Sequence, residues 1–306
     1  MVEIRLASLR DVRGIVEVHR SDLDSPRVWT PEGWREASPG DLDPCQWVLN
    51  GGPWMSVETC AIHVNDLLTR GQTPLVALEG DRVVGEAELI LGDEGGRRGL
   101  VAHLSVIEVH RDFRGRGVGR ALVEAALAAA RDRGADRVTV VPEERARGFY
   151  RATGFSPAER WVEVSASPGD VADARFEAEL FSPSPEDFEG MELVVGRYQS
   201  GLNVALNVLE EFAGCYVLGT GRSWRGVVEG VEFIAHVWSA PFLKGEVAYV
   251  WTKASPKRRL ELESKLALSA VANLAGRRLR TLVPEGLAAE FGLPVRGSVE
   301  FWARGV

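Results

Sequence analysis

Residues 111–122 read RDFRGRGVGRAL, with Gly115, Gly117 and Gly119 at alternate positions between an apolar alternating run and an alanine-rich run. Glycine reaches positive φ and carries no Cβ, so a ligand is able to approach its backbone closely. A helix start supplies unpaired N–H groups and the positive end of a dipole, which together favour an anion. A strand, a glycine turn and a helix start in this order form an anion seat; an ordinary turn needs only one glycine. The seat is not a Walker loop, because Arg120 follows the last glycine where that motif requires Lys-Ser/Thr. Nor is it the dinucleotide fingerprint, since Val118-Gly119-Arg120 follows Gly117 in place of two residues and a glycine.

The flanking pattern gives the order of elements. VEIRLAS (2–8) alternates like a strand, and residues 9–20 carry helical spacing at Val12, Ile15, Val16 and His19. Residues 21–58 are irregular and hold Trp29, Trp34, Trp47 and Trp54 among prolines and glycines. A helix is predicted over 56–71, with Ser56 as its cap and Gly71 as its stop. Residues 73–91 form two strands about a Gly80-Asp81 turn, GDEGGRRG (92–99) is a polar loop, and LVAHLSVIEV (100–109) is another strand. Past the glycine turn come a helix over 117–133, a strand over 137–142, a helix over 143–153 and a strand over 159–166.

Residues 165–174 have the composition of a linker, and an echo of the first half follows. SWRGVVEGVEFIAHVW (223–238) is similar to DRVVGEAELIL, and GEVAYVWTKA (245–254) stands where the strand before the glycine turn belongs. A helix spans 256–276, and RLRTLVPE (278–285) echoes RVTVVPEE (137–144). Two domains are therefore expected, 1–166 and 167–306, each with a mostly antiparallel mixed sheet flanked by helices, an α/β fold of the α+β kind. Residues 246–275 contain no glycine, and the anion seat is replaced by KASPKRRLELE. The second half is expected to be a non-catalytic partner that closes a cleft or completes a shared sheet.

Bulk properties are ordinary for a soluble globular protein. The chain has 306 residues, 45% hydrophobic and 26% charged, and a net charge of −8. That acidity argues against nucleic acid and suits a cationic substrate. No run approaches the length of a membrane helix, and the N-terminus lacks the apolar core of a signal peptide. Cys45, Cys60 and Cys215 are odd in number and form no Cys-x-x-Cys, so a reducing cytoplasm is the simplest expectation. Lysine occurs only at 244, 253, 257 and 265, from which nothing functional follows. No metal is called for, and a homodimer is compatible with the pattern.

Arg114, Gly117 and Gly119 resemble the pyrophosphate loop of the GNAT acetyltransferases, Arg/Gln-x-x-Gly-x-Gly/Ala, and YRATGF (150–155) resembles the family's Tyr-x-x-x-Gly-Phe ending. The likeness covers residues 1–165 well and the second half only as a degenerate copy. It implies acetyl-CoA as co-substrate, held by Arg114, Gly115, Arg116, Gly117, Val118, Gly119 and Arg120. The pantetheine arm would lie along Ile107 and Val109, where the strand 100–109 splays from the strand 137–142. Glu143 stands where the family often has Asn, which removes the usual side-chain contact to that arm.

The same resemblance implies direct attack by an amine on the thioester, with the Val109 N–H polarising its carbonyl. Tyr150 would be the acid that protonates the departing thiolate, the alternative being a ring packed in the core. Strand alternation places His103 on the face of Val109 unless a bulge intervenes, and a neutral-range imidazole suits a general base. HLSVIEVHRDFR (103–114) also resembles the corresponding strand of arylalkylamine N-acetyltransferases, where a histidine helps remove the proton. The alternative is a histidine hydrogen-bonded within the sheet; Glu108 is the second candidate base, with Glu86 and Glu88 behind it. Residues 51–59, GGPWMSVET, are expected to border the acceptor pocket, while the four tryptophans chiefly anchor their insertion to the core. A cofactor-sensing module without turnover and a purely structural protein are the rival readings.

Overall fold

The computed structural model describes residues 2–171, 174–209, 219–240, 243, 245–253 and 255–306. Cys215, Lys244, Ala254 and positions 172–173 of the expected linker lie outside the described residues. The first half runs β1 (Glu3–Leu6), α1 (Val12–Arg20), β2 (Arg27–Thr30), β3 (Gly33–Glu36), α2 (Pro44–Val48), α3 (Val57–Thr69), β4 (Thr73–Glu79), β5 (Arg82–Asp93), β6 (Leu100–Val109), α4 (Val118–Asp132), β7 (Arg137–Val140), α5 (Arg147–Ala152) and β8 (Ser156–Ala166). The second runs β9 (Phe176–Phe181), β10 (Glu192–Val195), α6 (Gly201–Leu209), β11 (Thr220–Val228), β12 (Val231–Ser239), β13 (Glu246–Thr252), α7 (Leu260–Ala275), β14 (Leu279–Pro284), α8 (Glu285–Phe291) and β15 (Val295–Gly305). Most predicted elements fall within a few residues of these bounds. The segment 21–58 is less irregular than its composition suggests, since it holds the β2–β3 hairpin and the Asp43-capped α2. Elements β9, β10 and α6 were not anticipated. Among the described residues no helix is long and apolar enough to cross a membrane.

Thirteen strands share one mixed sheet, in the order β1-β4-β5-β6-β7-β15-β8-β14-β13-β12-β11-β9, with β10 paired to β13 off that path. The strand that closes each half is exchanged. β15, from the end of the chain, pairs with β7 of the first half, while β8 pairs with β14 of the second. β15 and β8 also pair with each other, so the two halves meet in the middle of the sheet. Trp302 on β15 is accordingly buried in the first half's core with Val138, Val140 and Phe155.

Each face of the first half has its own core. On one face α4 lays Leu122, Val123 and Ala126 over Leu75, Ala87, Leu89 and Leu104. On the other, Val12, Ile15 and Val16 of α1 and Cys60 and Val64 of α3 cover Val76, Leu78 and Val83. These patterns are those of amphipathic helices on a sheet buried on both sides. Cys60 is free and buried, whereas Cys45 is disulfide-bonded, which the cysteine spacing did not lead us to expect.

The decisive irregularity is where strands part. β6 and β7 are parallel and share only Ala102↔Val138 and His103↔Thr139 before diverging. β13 and β14 repeat this, sharing only Glu246↔Leu279 and Val247↔Arg280. In the second half the resulting gap is filled by β10, which pairs Glu192, Leu193 and Val195 with Thr252, Trp251 and Val250. The Gly196 N–H reaches the Leu282 carbonyl on β14 at 2.8 Å, so the filling touches both banks.

The exchange makes a direct prediction. Trp302 is 1% exposed, and its truncation leaves a cavity in a core that lies in the first half of the chain. Trp302→Ala should lower stability by about 3–5 kcal/mol in denaturant titration, as buried Trp-to-Ala changes do. A loss below about 1 kcal/mol would contradict the exchanged strand.

Candidate active site

In the first half the gap between β6 and β7 opens into a cavity of about 680 Å³. Its walls include Ile107, Glu108 and Val109 of β6, the turn residues Arg114, Gly115, Gly117, Gly119 and Arg120, and Phe149 and Tyr150 of α5. The glycine turn has the geometry its sequence implies. Gly115 and Gly117 sit at φ +71° and +87°, and a Cβ at either meets no heavy atom within 4 Å, so the space above them is open. The backbone angle, rather than crowding, is what calls for glycine there. Gly117 caps α4, and Ala121 is the first residue to bond back, to the Gly117 carbonyl at 3.0 Å. The N–H groups before it therefore point out of the helix start towards the cavity mouth. At Gly119 a Cβ would come within 3.3 Å of the Phe149 ring, so glycine allows a close approach of α4 to α5.

Arg114 lies at the site with its guanidinium tied inward. It donates to the Val109 carbonyl at 2.9 Å and to Glu108 Oε1 at 2.5 Å, and pairs with Asp22. The Val109 N–H is engaged by Glu108 Oε1 at 3.2 Å. Glu108 thus faces the cavity, held by the arginine of the turn and by the strand's own backbone. Arg116 leans away to Glu79 at 2.5 Å, and Arg120 donates to the Ala152 carbonyl at 3.2 Å. Tyr150 lines the cavity, its ring set edge-on to Phe149 and Phe155. Burial pushes its phenol well above the ordinary range, with Glu143 and Glu108 adding to the shift. The hydroxyl therefore stays protonated.

His103 is not where alternation alone places it. Ser105 is an extra residue in β6: Glu88 pairs with Val106 and Leu89 with Leu104, leaving Ser105 unmatched. This β-bulge reverses the facing of everything before it. His103 consequently shares a face with Ile90, Glu88 and Glu86, opposite to Ile107 and Val109. It is 1% exposed, and its Nδ1 lies 2.9 Å from Thr139 Oγ1. Burial and the Arg197 cation pull its pKa down to about 3, so the ring stays neutral and is a weak proton acceptor.

Beyond the bulge, His19, Trp54 and Ser105 complete the wall of the cavity with Gly51. His19 Nε2 lies 2.9 Å from Glu86 Oε1, and His63 Nε2 lies 2.9 Å from Glu88 Oε1. Trp54 stands between the two histidines, stacked on His19 at 5.1 Å and edge-on to His63 at 5.2 Å, while its indole N–H donates to Glu88 at 2.8 Å. The fragment 51–59 does border the cavity, through Gly51 and Trp54. Trp47 instead anchors the insertion beneath the Arg20 guanidinium, and Trp29 and Trp34 pack on each other in the hairpin. Sequence reading assigned no role to His19 or His63. The signal was available: Glu86 and Glu88 alternate within an otherwise apolar strand, and buried carboxylates require partners.

At the corresponding seat in the second half the chain's own groups are in place. The Glu263 carboxylate, 1% exposed, accepts the Ser255 N–H at 3.1 Å ahead of α7. Arg97, from the polar loop between β5 and β6, crosses over to Glu263 at 2.7 Å and to the Arg258 carbonyl at 2.8 Å.

Residues 40–155 match the Acetyltransferase (GNAT) family. A glucosamine 6-phosphate N-acetyltransferase of Trypanosoma brucei brucei is 32% identical over 84 residues, 27% of this chain. The match spans only 57% of that relative's length. Among solved structures, a GCN5-related N-acetyltransferase from Anabaena variabilis superposes with a TM-score of 0.60 at 12% identity, over 99% of this chain and 72% of its own. One from Kribbella flavida does so with a TM-score of 0.57 at 13% identity, over 100% and 71%. At those identities the likeness is one of fold, and it extends through both halves. The glycine turn and the splayed strands fall within the residues, 40–155, that match the Acetyltransferase (GNAT) family.

Proposed function

We propose that residues 1–166, closed by β15, transfer an acetyl group from acetyl-CoA to a primary amine, and that residues 167–306 are a GNAT-like partner that does no chemistry. The observation that carries this reading is the free edge of β6 at Ile107–Val109, opening into the same cavity as the glycine turn. An extended, amide-bearing arm pairs with such an edge as an added strand does, and its pyrophosphate meets the N–H groups of residues 115–120. Val109 N–H is aimed to polarise the thioester carbonyl once Glu108 turns from it, and Tyr150, protonated and facing the cavity, supplies the proton to the leaving sulfur.

The second half has the same splayed strands but has used the space. β10 occupies the strand edge, and Glu263 takes the N–H and places a carboxylate where a pyrophosphate would sit. An occupied strand edge and a backbone N–H already taken both oppose a second cofactor.

Glu108 lines the cavity, and Glu86 and Glu88 stand behind His19 and Trp54 of its wall, which favours a cationic amine. Glucosamine 6-phosphate, the acceptor in the trypanosomal relative's name, would bring a phosphate against these carboxylates, so spermidine or lysine amide should be the better acceptor. Release of free thiol from acetyl-CoA across such a panel measures this. Absence of turnover with every amine would contradict the reading.

Calorimetric titration with CoA should give one equivalent per chain at moderate salt. Gly117→Val should abolish it with an unchanged circular dichroism spectrum, because a branched Cβ is strained at this φ and stands in the pyrophosphate's path. Any equivalent surviving that change would place a cofactor in the second half.

Tyr150→Phe should lower kcat by ~10²–10⁴-fold with little effect on acetyl-CoA affinity. His103→Ala, by contrast, should leave the shape of the pH–rate profile unaltered, since that ring does not titrate in the working range. A lost acidic limb in His103→Ala would restore it as the base.

A further inference from the structure

We propose that His19 is the general base that receives the proton of the acceptor amine, with Glu86 as the residue that positions it. The inference rests on the acetyl transfer proposed above and adds the identity of the proton acceptor. His19 lines the cavity that also exposes Ile107, Glu108, Val109 and Tyr150. It lies on α1, a helix that the cofactor seat does not use. Its Nε2 is committed to the Glu86 carboxylate, which fixes Nε2 as the protonated nitrogen and leaves Nδ1 to take a proton. Trp54 stacks on the ring nearly parallel, at 11°, so the imidazole is held in one plane against the wall. A base oriented by a carboxylate and a packed aromatic is held in the geometry that proton transfer needs.

Three carboxylates are among the groups around His19. β5 contributes Glu86 and Glu88, β6 contributes Glu108 with Arg114 paired to it, and α3 contributes His63, paired with Glu88, and the buried thiol of Cys60. Burial pulls the His19 pKa down, but Glu86, Glu108 and Glu88 outweigh this and hold it above the ordinary value. Burial also pushes Glu86 up, so the pair keeps its proton to higher pH than either group would alone in water. A base whose pKa is raised by neighbouring carboxylates suits an alkylammonium acceptor. The proton balance closes. Neutral His19 takes one proton from the ammonium; the freed amine forms the N–C bond at the thioester carbonyl, and the C–S bond breaks. Tyr150 protonates the sulfur, and the second proton lost from nitrogen restores Tyr150 through solvent. The products are the amide, CoA thiol and imidazolium.

The test combines kinetics with a readout that needs no acceptor. With acetyl-CoA and a defined pool of spermidine, lysine amide and tyramine, kcat/KM should rise with pH along a limb whose midpoint lies above 6.5. His19→Gln keeps a donor to Glu86; it should remove that limb and lower kcat by ~10²–10⁴-fold with CoA affinity unchanged. Glu86→Gln should move the limb to lower pH by about one unit or more, because burial persists while the nearest carboxylate charge is gone. NMR titration of the histidine rings, with His19 assigned by its loss in His19→Gln, should show the same downward shift. Full rate and an intact limb in His19→Gln would overturn the proposal, as would an NMR midpoint unmoved by Glu86→Gln. Absence of turnover by the unaltered protein would overturn it together with the acetyl transfer on which it rests, and this differs from selective indifference to His19.

Discussion

A pair of parallel strands that part after two residues is the constraint around which this molecule is arranged. Divergence leaves backbone N–H and C=O groups unpaired inside a sheet, and such groups must find partners. The two halves answer the same problem differently. In the first, the edge of β6 borders an open cavity, and side chains answer locally: Glu108 folds back to the Val109 N–H and Arg114 donates to the Val109 carbonyl. In the second, β10 supplies the missing partner from within the chain. An open cavity and a structural filling are thus alternative solutions to one feature of the fold.

The exchange of β8 and β15 ties these solutions together. Because β15 pairs with β7, one bank of the open gap is supported by the far end of the chain. The polar loop between β5 and β6 makes the reciprocal contact, sending Arg97 to Glu263 and Arg98 to Glu159 and Glu192. Glu94 and Arg197, each 2% exposed, pair between the halves in the same region. Buried charges of this kind add little net stability, but removing one partner is costly, so they specify how the halves meet. The second half thus supports one bank of the first half's gap and contacts the loop beside it.

Much of the first half was legible in the sequence because its signals are local. Alternation in 73–91 and 100–109, the glycines of 115–119 and the Ser56 cap each determine their own element. What was hidden depends on distant partners. The Ser105 bulge inserts one residue into an otherwise regular strand, and nothing in LVAHLSVIEV marks it; yet it turns His103 from the cavity to the opposite face. The filling role of β10 was equally hidden, since ELVV is short and apolar and does not state which edge it joins. Antiparallel closing strands are interchangeable in pattern, so the exchange of β8 with β15 left no trace either. The acidic face of β5 was the exception: two glutamates in a buried strand announced partners that helical spacing on α1 had already aligned in His19.

The central claim is that backbone groups of the first half, and not of the second, meet the cofactor. Amide hydrogen exchange with and without CoA tests this most directly. Slowed exchange at 107–109 and 115–120, with 250–263 unchanged, is the predicted result. Protection at 250–263, or none at the glycine turn, would contradict the account.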